Sequence, residues 1–273
     1  MRTTTVLVDQ PDFRICAVRC HDDHTGWSAP EPVDRYELVL VRAGGFRRRG
    51  RTGEALLDQT LGYLAHPHDE ASFAHPHGGD DCTALTISTA LWHELLDARP
   101  VPETVYVDAE LDLAHRLLRR AGSGPDPEFA AAERLVALLV RATGVPPAAG
   151  TPGNAARDRR VVEAAREALH DGEPAATGLV PLARLLDVSP YRLSRSFRQL
   201  VGVPLTRYRN RLRVGRALDR LEQGTDSLAA LAADLGFADQ AHLTRTVRAQ
   251  LGRTPAELRR LLRPSSPSTT GPS

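Results

Sequence analysis

The spacing of apolar and polar positions changes period once along the chain, near residue 106. Before that point, short apolar runs alternate with turn residues. Tyr36–Arg42 is a β-branched and aromatic run stopped by Gly44-Gly45. Phe46–Arg49, Ala55–Asp58, Gly62–Ala65, Ser72–Ala74 and Thr83–Ser88 follow, separated by Gly, Pro, Asp and His. Many short strands with regular turn signals predict a sandwich or small barrel. Beyond it the period is helical. Asp108 is placed to cap a helix carrying Leu111, Ala114 and Leu118, and Asp126-Pro127 opens another carrying Phe129, Ala132, Val136 and Leu139. Leu135, Leu138 and Val140 widen the apolar arc of that second helix, which suits packing on the barrel plus a partner helix in a dimer.

Two stretches lack any period. Gly144–Ala156 (GVPPAAGTPGNAA) reads as a linker and Arg263–Ser273 as a disordered polar tail. They divide the chain into a β-rich domain with two trailing helices (1–143), a linker (144–156), a helical domain (157–262) and the tail (263–273). The fold class is therefore α+β multidomain. The helical part predicts about seven helices, near 157–170, 179–186, 190–201, 205–222, 227–235, 239–250 and 255–262.

An internal repeat runs through the helical part. Leu193-Ser-Arg195-Ser-Phe197-Arg198…Gly202 lies 50 residues ahead of Leu243-Thr-Arg245-Thr-Val247-Arg248…Gly252. Each copy follows a short apolar helix, Leu182-Ala183…Leu186 or Leu231-Ala232…Leu235, and a Pro follows each Gly, at Pro204 and Pro255. Two helix–turn–helix units are the simplest account. Ser189 and Asp239 are placed to cap the second helices, with Pro190 in the first turn of one. Leu193, Phe197 and Leu200 share one face of the first, and Leu243, Val247 and Leu251 one face of the second. Tyr191, Arg192, Ser194, Arg195 and Arg198 then face outward in one unit, and Gln240, Ala241, His242, Thr244, Arg245 and Arg248 in the other. Such faces suit the major groove, where Arg forks onto guanine, Gln onto adenine, and apolar groups touch the thymine methyl.

Charge at first argues otherwise, since 35 basic against 34 acidic residues leave a net +1. The basic residues are all Arg, with no Lys, as a GC-rich genome would produce. The total conceals an asymmetry: residues 1–156 hold 15 Arg and 22 acids (−7), while 157–273 hold 20 Arg and 12 acids (+8). Residues 184–220 alone hold ten Arg against Asp187 and Asp219. An acidic half that avoids DNA and a basic half that binds it fit this split. Arg207, Arg209, Arg211, Arg213, Arg216 and Arg220 lie on a helix that would bridge the two units, and some of them would reach phosphate.

The strings LARLLDVSPYRLSRSFRQLVGVPLTRYRNRLRVGRAL and SLAALAADLGFADQAHLTRTVRAQLGRTPAELRR resemble the DNA-binding domain of the AraC/XylS family of bacterial transcription regulators. The resemblance runs from about Arg159 to Arg260, with Gly236-Phe237…Gln240 and Gly252…Thr254-Pro255…Arg259 its most specific parts. It implies base contacts at Tyr191, Ser194 and Arg195 in the first unit, and at Gln240, Ala241, His242, Thr244 and Arg245 in the second. Ala241 departs from the polar residue frequent there, and Val247 stands where Phe is usual. The family further implies a cupin-like N-terminal barrel that dimerises and receives a small effector, recognition helices in successive major grooves of promoter DNA, and activation by contact with RNA polymerase. A homodimer is thus expected. An effector-independent DNA binder or repressor is the alternative.

The histidines of the β-rich part raise two further readings. Cys20-x3-His24 and His75-x-His77-x4-Cys82 bring thiol and imidazole donors of the kind that hold Zn²⁺, so Cys20, His24, His75, His77 and Cys82 are metal candidates. Redox sensing by Cys20 and Cys82 would use the same thiols. His66-Pro-His68-x-Glu70 and His75-Pro-His77 carry ligand types found in metal-dependent cupin enzymes, but a Pro between the histidines suits only an edge strand. No nucleophile motif or phosphate loop accompanies them, so no enzyme activity is expected. Three cysteines form no disulfide framework, and the polar start and the short apolar run Leu135–Val140 predict neither a signal peptide nor a membrane span. A bacterial cytoplasmic protein, at the nucleoid when DNA-bound, is the expectation.

Overall fold

The computed structural model describes residues 2–21, 25–76, 78–96, 101–121, 127–144, 155–177, 179–224 and 227–262. The strands are β1 (Arg2–Asp9), β2 (Phe13–Cys20), β3 (Glu31–Pro32), β4 (Tyr36–Gly44), β5 (Phe46–Gly50), β6 (Gly53–Leu57), β7 (Leu61–Ala65), β8 (Glu70–Ala74), β9 (Asp80–Ile87) and β10 (Thr104–Tyr106). The helices are α1 (Thr89–Leu96), α2 (Ala109–Ala121), α3 (Pro127–Thr143), α4 (Ala155–Asp171), α5 (Leu179–Leu185), α6 (Pro190–Val201), α7 (Leu205–Glu222), α8 (Leu228–Asp234), α9 (Gln240–Leu251) and α10 (Pro255–Leu262). The chain forms two compact units, Met1–Arg209 and Asn210–Ser273.

The strands pair antiparallel in a six-stranded sheet, β1-β2-β9-β4-β7-β10, and a four-stranded sheet, β3-β8-β5-β6. Side chains alternate across each strand, so one run can feed two cores. On β4, Leu38 and Leu40 join a cluster with Trp92, Leu111, Leu118, Leu135 and Leu139 of α1–α3. Val39 and Val41 of the same strand join Phe46, Leu57 and Tyr63 between the two sheets. The large sheet is thus buried on both faces, which is why Tyr36–Arg42 is apolar almost without interruption. This double-sheet architecture precedes an all-helical portion.

Helix α1 falls inside a stretch whose pattern reads as β. Ser88 follows β9 and its hydroxyl accepts from Leu91 N at 3.2 Å, while Trp92 is buried and stacked on Tyr36 at 4.3 Å. Helices α4–α10 lie within a few residues of their expected positions, with a 3₁₀ turn at Pro174–Thr177 added. Asp126, most of the linker-like stretch and the tail lie outside the described residues.

The division into units falls inside α7 rather than at the linker, because a buried polar knot ties the β-rich part to α4 and to the start of α7. Arg166 donates to Asp58 Oδ2 at 2.7 Å, to Leu56 O at 2.8 Å and to Tyr208 Oη at 3.2 Å. Asp58 Oδ1 also accepts from Thr60 N at 2.8 Å, and Thr60 Oγ1 lies 2.8 Å from Tyr208 Oη. Burial opposes ionisation of Asp58, yet Arg166 and the Thr60 hydrogen bonds hold its carboxyl below the usual range.

Removing one partner from such a pair leaves a buried charge uncompensated. Arg166→Met is expected to cost about 3–5 kcal/mol in urea unfolding, with Arg166→Met/Asp58→Leu losing less than the two single changes combined. A second prediction concerns His115 of α2, whose burial lowers its pKa to about 3. The unfolded chain protonates this group below about pH 6.5, whereas the fold excludes the proton until far lower pH. Stability is therefore whole above that pH and declines as pH falls toward 3. Unfolding measured between pH 6 and 4 should show a loss of up to about 1.4 kcal/mol per pH unit from this group, and His115→Leu should flatten it.

Candidate nucleic-acid interface

Two units of short helix, turn and longer helix are present, α5–α6 and α8–α9. Each second helix starts and stops by the same devices. Ser189 caps α6, its side chain accepting from Arg192 N at 3.2 Å, and Asp239 caps α9, accepting from His242 N at 2.6 Å. Both end on a left-handed glycine, Gly202 (φ 84°) and Gly252 (φ 64°), whose N–H returns to Arg198 O or Arg248 O. The turns match as well. Asp187 (φ 50°) and Gly236 (φ 68°) take the left-handed conformation at equivalent places, 49 residues apart like the short helices before them.

Burial sorts the faces. Leu193, Phe197, Leu243 and Val247 are fully buried, and Leu251 nearly so. Leu200, expected inside, is 38% exposed, because α6 keeps Leu193 and Phe197 inward against Tyr208, with the Phe197 and Tyr208 rings 5.0 Å apart. Ser194, Arg195 and Arg198 on α6, and Gln240, Ala241, Arg245 and Arg248 on α9, are exposed, with Thr244 half-buried. The side chain of Tyr191 lies outside the described residues. Two candidates are already engaged. Arg192 forks onto Asp158 Oδ1 of α4 at 2.9 and 3.0 Å. The His242 ring packs edge-on against Phe237 at 5.3 Å and its Nδ1 accepts from Ala238 N. What remains exposed is an Arg/Ser surface on α6 and an Arg/Gln surface on α9.

Residues 182–261 match the family model described as "Helix-turn-helix domain". Over 67 residues the chain is 37% identical to the HTH-type transcriptional activator RhaS of Escherichia fergusonii, and equally to that of Pectobacterium carotovorum. The matched residues include both helix–turn–helix second helices, α6 and α9. The match covers 24% of this chain and 24% of each RhaS, so the chain spans about a quarter of the length of those relatives. Among solved structures, fatty-acid-bound ToxT of Vibrio cholerae is 11% identical with a TM-score of 0.36, covering 93% of this chain and 97% of that one. An AraC-type regulator of Chromobacterium violaceum is 24% identical with a TM-score of 0.36, over 42% and 99% of the two chains.

Around these two helices, the arginines of α7 divide. Arg207 and Arg220 are exposed, Arg220 pairing with Asp234 at 3.3 Å. Arg211 is buried, and the Arg213 guanidinium lies 5.4 Å from the centre of the Phe237 ring. This helix is therefore as much a packing element as a charged surface.

The β-rich part holds a second site, described by itself. Cys20, His75 and Asp80 are buried with their ligand-type atoms within 4.8 Å of one another, and this is the one such group of three among the described residues. His75 Nε2 lies 3.0 Å from Asp80 Oδ1, and the Cys82 thiol donates to Asp80 Oδ2 at 2.7 Å. Asp80 was not singled out by the sequence pattern, whereas His24 and His77 lie outside the described residues. Burial and the neighbouring Asp80 push the Cys82 thiol far up, so little thiolate is available for redox chemistry. A cavity of about 120 Å³ adjoins the group, lined also by Glu37, Phe46, Tyr63 and Phe73. Burial raises the Glu37 pKa, and Tyr63 Oη donates to Glu37 at 3.3 Å. His66 and His68 do not share a strand: they fall in the turn between β7 and β8, with His68 at φ 73° and His66 packed on Tyr36 at 5.3 Å.

The caps give a direct check on the interface. Ser189→Ala and Asp239→Ala are each expected to lower stability by about 1 kcal/mol in urea unfolding, with Ser→Gly and Asp→Gly at the same positions costing less.

Proposed function

We propose that the chain is a sequence-specific, DNA-binding transcription regulator. The observation that carries this reading is the repeat: two separately capped second helices, each presenting exposed Arg and polar side chains over a buried apolar face. Each such helix reads its own major-groove segment, with Ser194, Arg195 and Arg198 reading one and Gln240, Thr244, Arg245 and Arg248 the other. Ala241 contributes an apolar contact of the kind a thymine methyl accepts. Exposed Arg207 adds phosphate contact, which fixes register without carrying sequence information.

The β-rich part receives a small effector, which shifts the population of DNA-binding states, and the protein works as a homodimer. The relatives named as transcriptional activators support activation as the outcome, and contact with RNA polymerase is the route that the family resemblance implies. The buried knot between Asp58, Arg166 and Tyr208 supports a route for the signal, since it joins the β-rich part to α4, and α4 holds Arg192 of the first recognition helix through Asp158.

Selection of bound duplexes from a random-sequence library by the full chain is expected to enrich one motif with two separable blocks; recovery of unrelated sequences would overturn the reading. Arg195→Ala and Arg245→Ala should each cost about 1–3 kcal/mol on the selected duplex and relax preference in one block only. Affinity should also fall steeply as salt rises, as counterion release requires.

A further inference from the structure

We propose that Cys20, His75, Asp80 and Cys82 form a binding site for a thiophilic divalent cation, with Zn²⁺ the ion of best fit. The proposal goes beyond the DNA-binding reading and does not rest on it.

Strand register builds the site. Cys20 and Asp80 are direct cross-strand partners of β2 and β9, so their side chains leave the same face of the large sheet. Cys82 lies two residues beyond Asp80 on β9 and therefore on that face too. His75 arrives from the opposite sheet, immediately after β8, with its ring 5.8 Å from Phe46. Gly79, next to Asp80, packs tightly against β2: a Cβ on Gly79 would overlap the carbonyl oxygen of Cys20, and a Cβ on Gly44 would overlap that of Gly79. Glycine at both places is what lets Asp80 approach Cys20 and His75.

The donor set then selects the ion. Two thiols, one imidazole and one carboxylate are the ligand types of tetrahedral zinc, whereas Ca²⁺ and Mg²⁺ require oxygen-rich shells. All four residues are buried, so the charge of a carboxylate here needs compensation from within the site. The separation of up to 4.8 Å among the donor atoms of Cys20, His75 and Asp80 must contract to about 3.3–3.8 Å around a tetrahedral ion. Side-chain rotation covers a change of that size. Binding replaces the S–H donation from Cys82 to Asp80 by metal–sulfur and metal–oxygen bonds. The thiols of Cys20 and Cys82 each release a proton to solvent, and neutral His75 donates a ring-nitrogen lone pair.

The test uses the full chain without DNA, so its failure would leave the DNA-binding reading standing. Chelator-treated protein is titrated with Co²⁺ and then Zn²⁺. One Co²⁺ per chain is expected, with the visible bands of a tetrahedral site and a near-ultraviolet thiolate band, both bleached by Zn²⁺. Cys20→Ser and Cys82→Ser should each weaken binding by at least about tenfold and diminish the thiolate band, while Cys16→Ser, outside the cluster, leaves both intact. Absence of a thiolate band in the wild type, or an undiminished band in Cys20→Ser/Cys82→Ser, would overturn the proposal. Should the variants misfold, X-ray absorption at the zinc edge of the wild type decides: two sulfur and two nitrogen or oxygen neighbours support the site, and a shell without sulfur refutes it.

Discussion

Desolvating a guanidinium and a carboxylate is costly, and the pair Arg166–Asp58 is tolerated only because every face of it is answered. Arg166 meets a carboxylate, a backbone carbonyl and a phenol at once, and Asp58 is held in turn by Thr60. The geometry leaves little freedom for α4 or for the first turn of α7, since a shift of an ångström would strand a charge in a dry interior. Much follows from that constraint. Through Tyr208 it fixes the ring against which Phe197 packs, and through α4 it fixes Asp158, which holds Arg192. The first helix–turn–helix therefore takes its place from a polar anchor in the β-rich part as well as from its own small core.

The two helix–turn–helix units are built from the same local physics with different residues. Caps of different chemistry, Ser189 and Asp239, answer the same orphan N–H groups, and Phe197 and Val247 fill equivalent buried positions. Their exposed faces differ more than the scaffold does. On α6 the flanking Arg192 is tied down by an ion pair, while on α9 the equivalent His242 turns back on Phe237. What stays exposed is Ser194, Arg195 and Arg198 on α6, and Gln240, Ala241, Arg245 and Arg248 on α9.

Most of the helical part was legible in the sequence because its signals are local: caps, a 3.6-residue apolar period, and a repeat that states the unit twice. The strands were legible as strands because turn residues separate them, but α1 was not, since its eight residues carry too little period to outweigh the β pattern around them. Asp80 escaped notice for a different reason. Its link to Cys20 is a pairing between strands 60 residues apart, and only the sheet register makes them neighbours. The Arg166–Asp58 contact spans 108 residues and has no local signature at all, so composition marks the linker-like stretch while the compact units meet inside α7. Leu200 shows the converse: its helical period placed it inside, while packing of α6 on Tyr208 turned it out.

The left-handed turn residues carry an evolutionary consequence. Both repeats need the chain to reverse at one residue, and one copy meets the need with glycine while the other holds Asp187 in the same conformation. At Gly236 an added Cβ would sit 3.2 Å from the Arg213 guanidinium, so glycine there answers to a neighbour as well as to the backbone. Asp187 has already accepted a side chain in a region that most residues enter only with strain, and short polar residues tolerate best. The first turn is accordingly free to drift among Asp, Asn and Gly, whereas the second is held in place by a cation in another helix. After a duplication of one ancestral unit, the copy with the crowded turn would be the slower of the two to change.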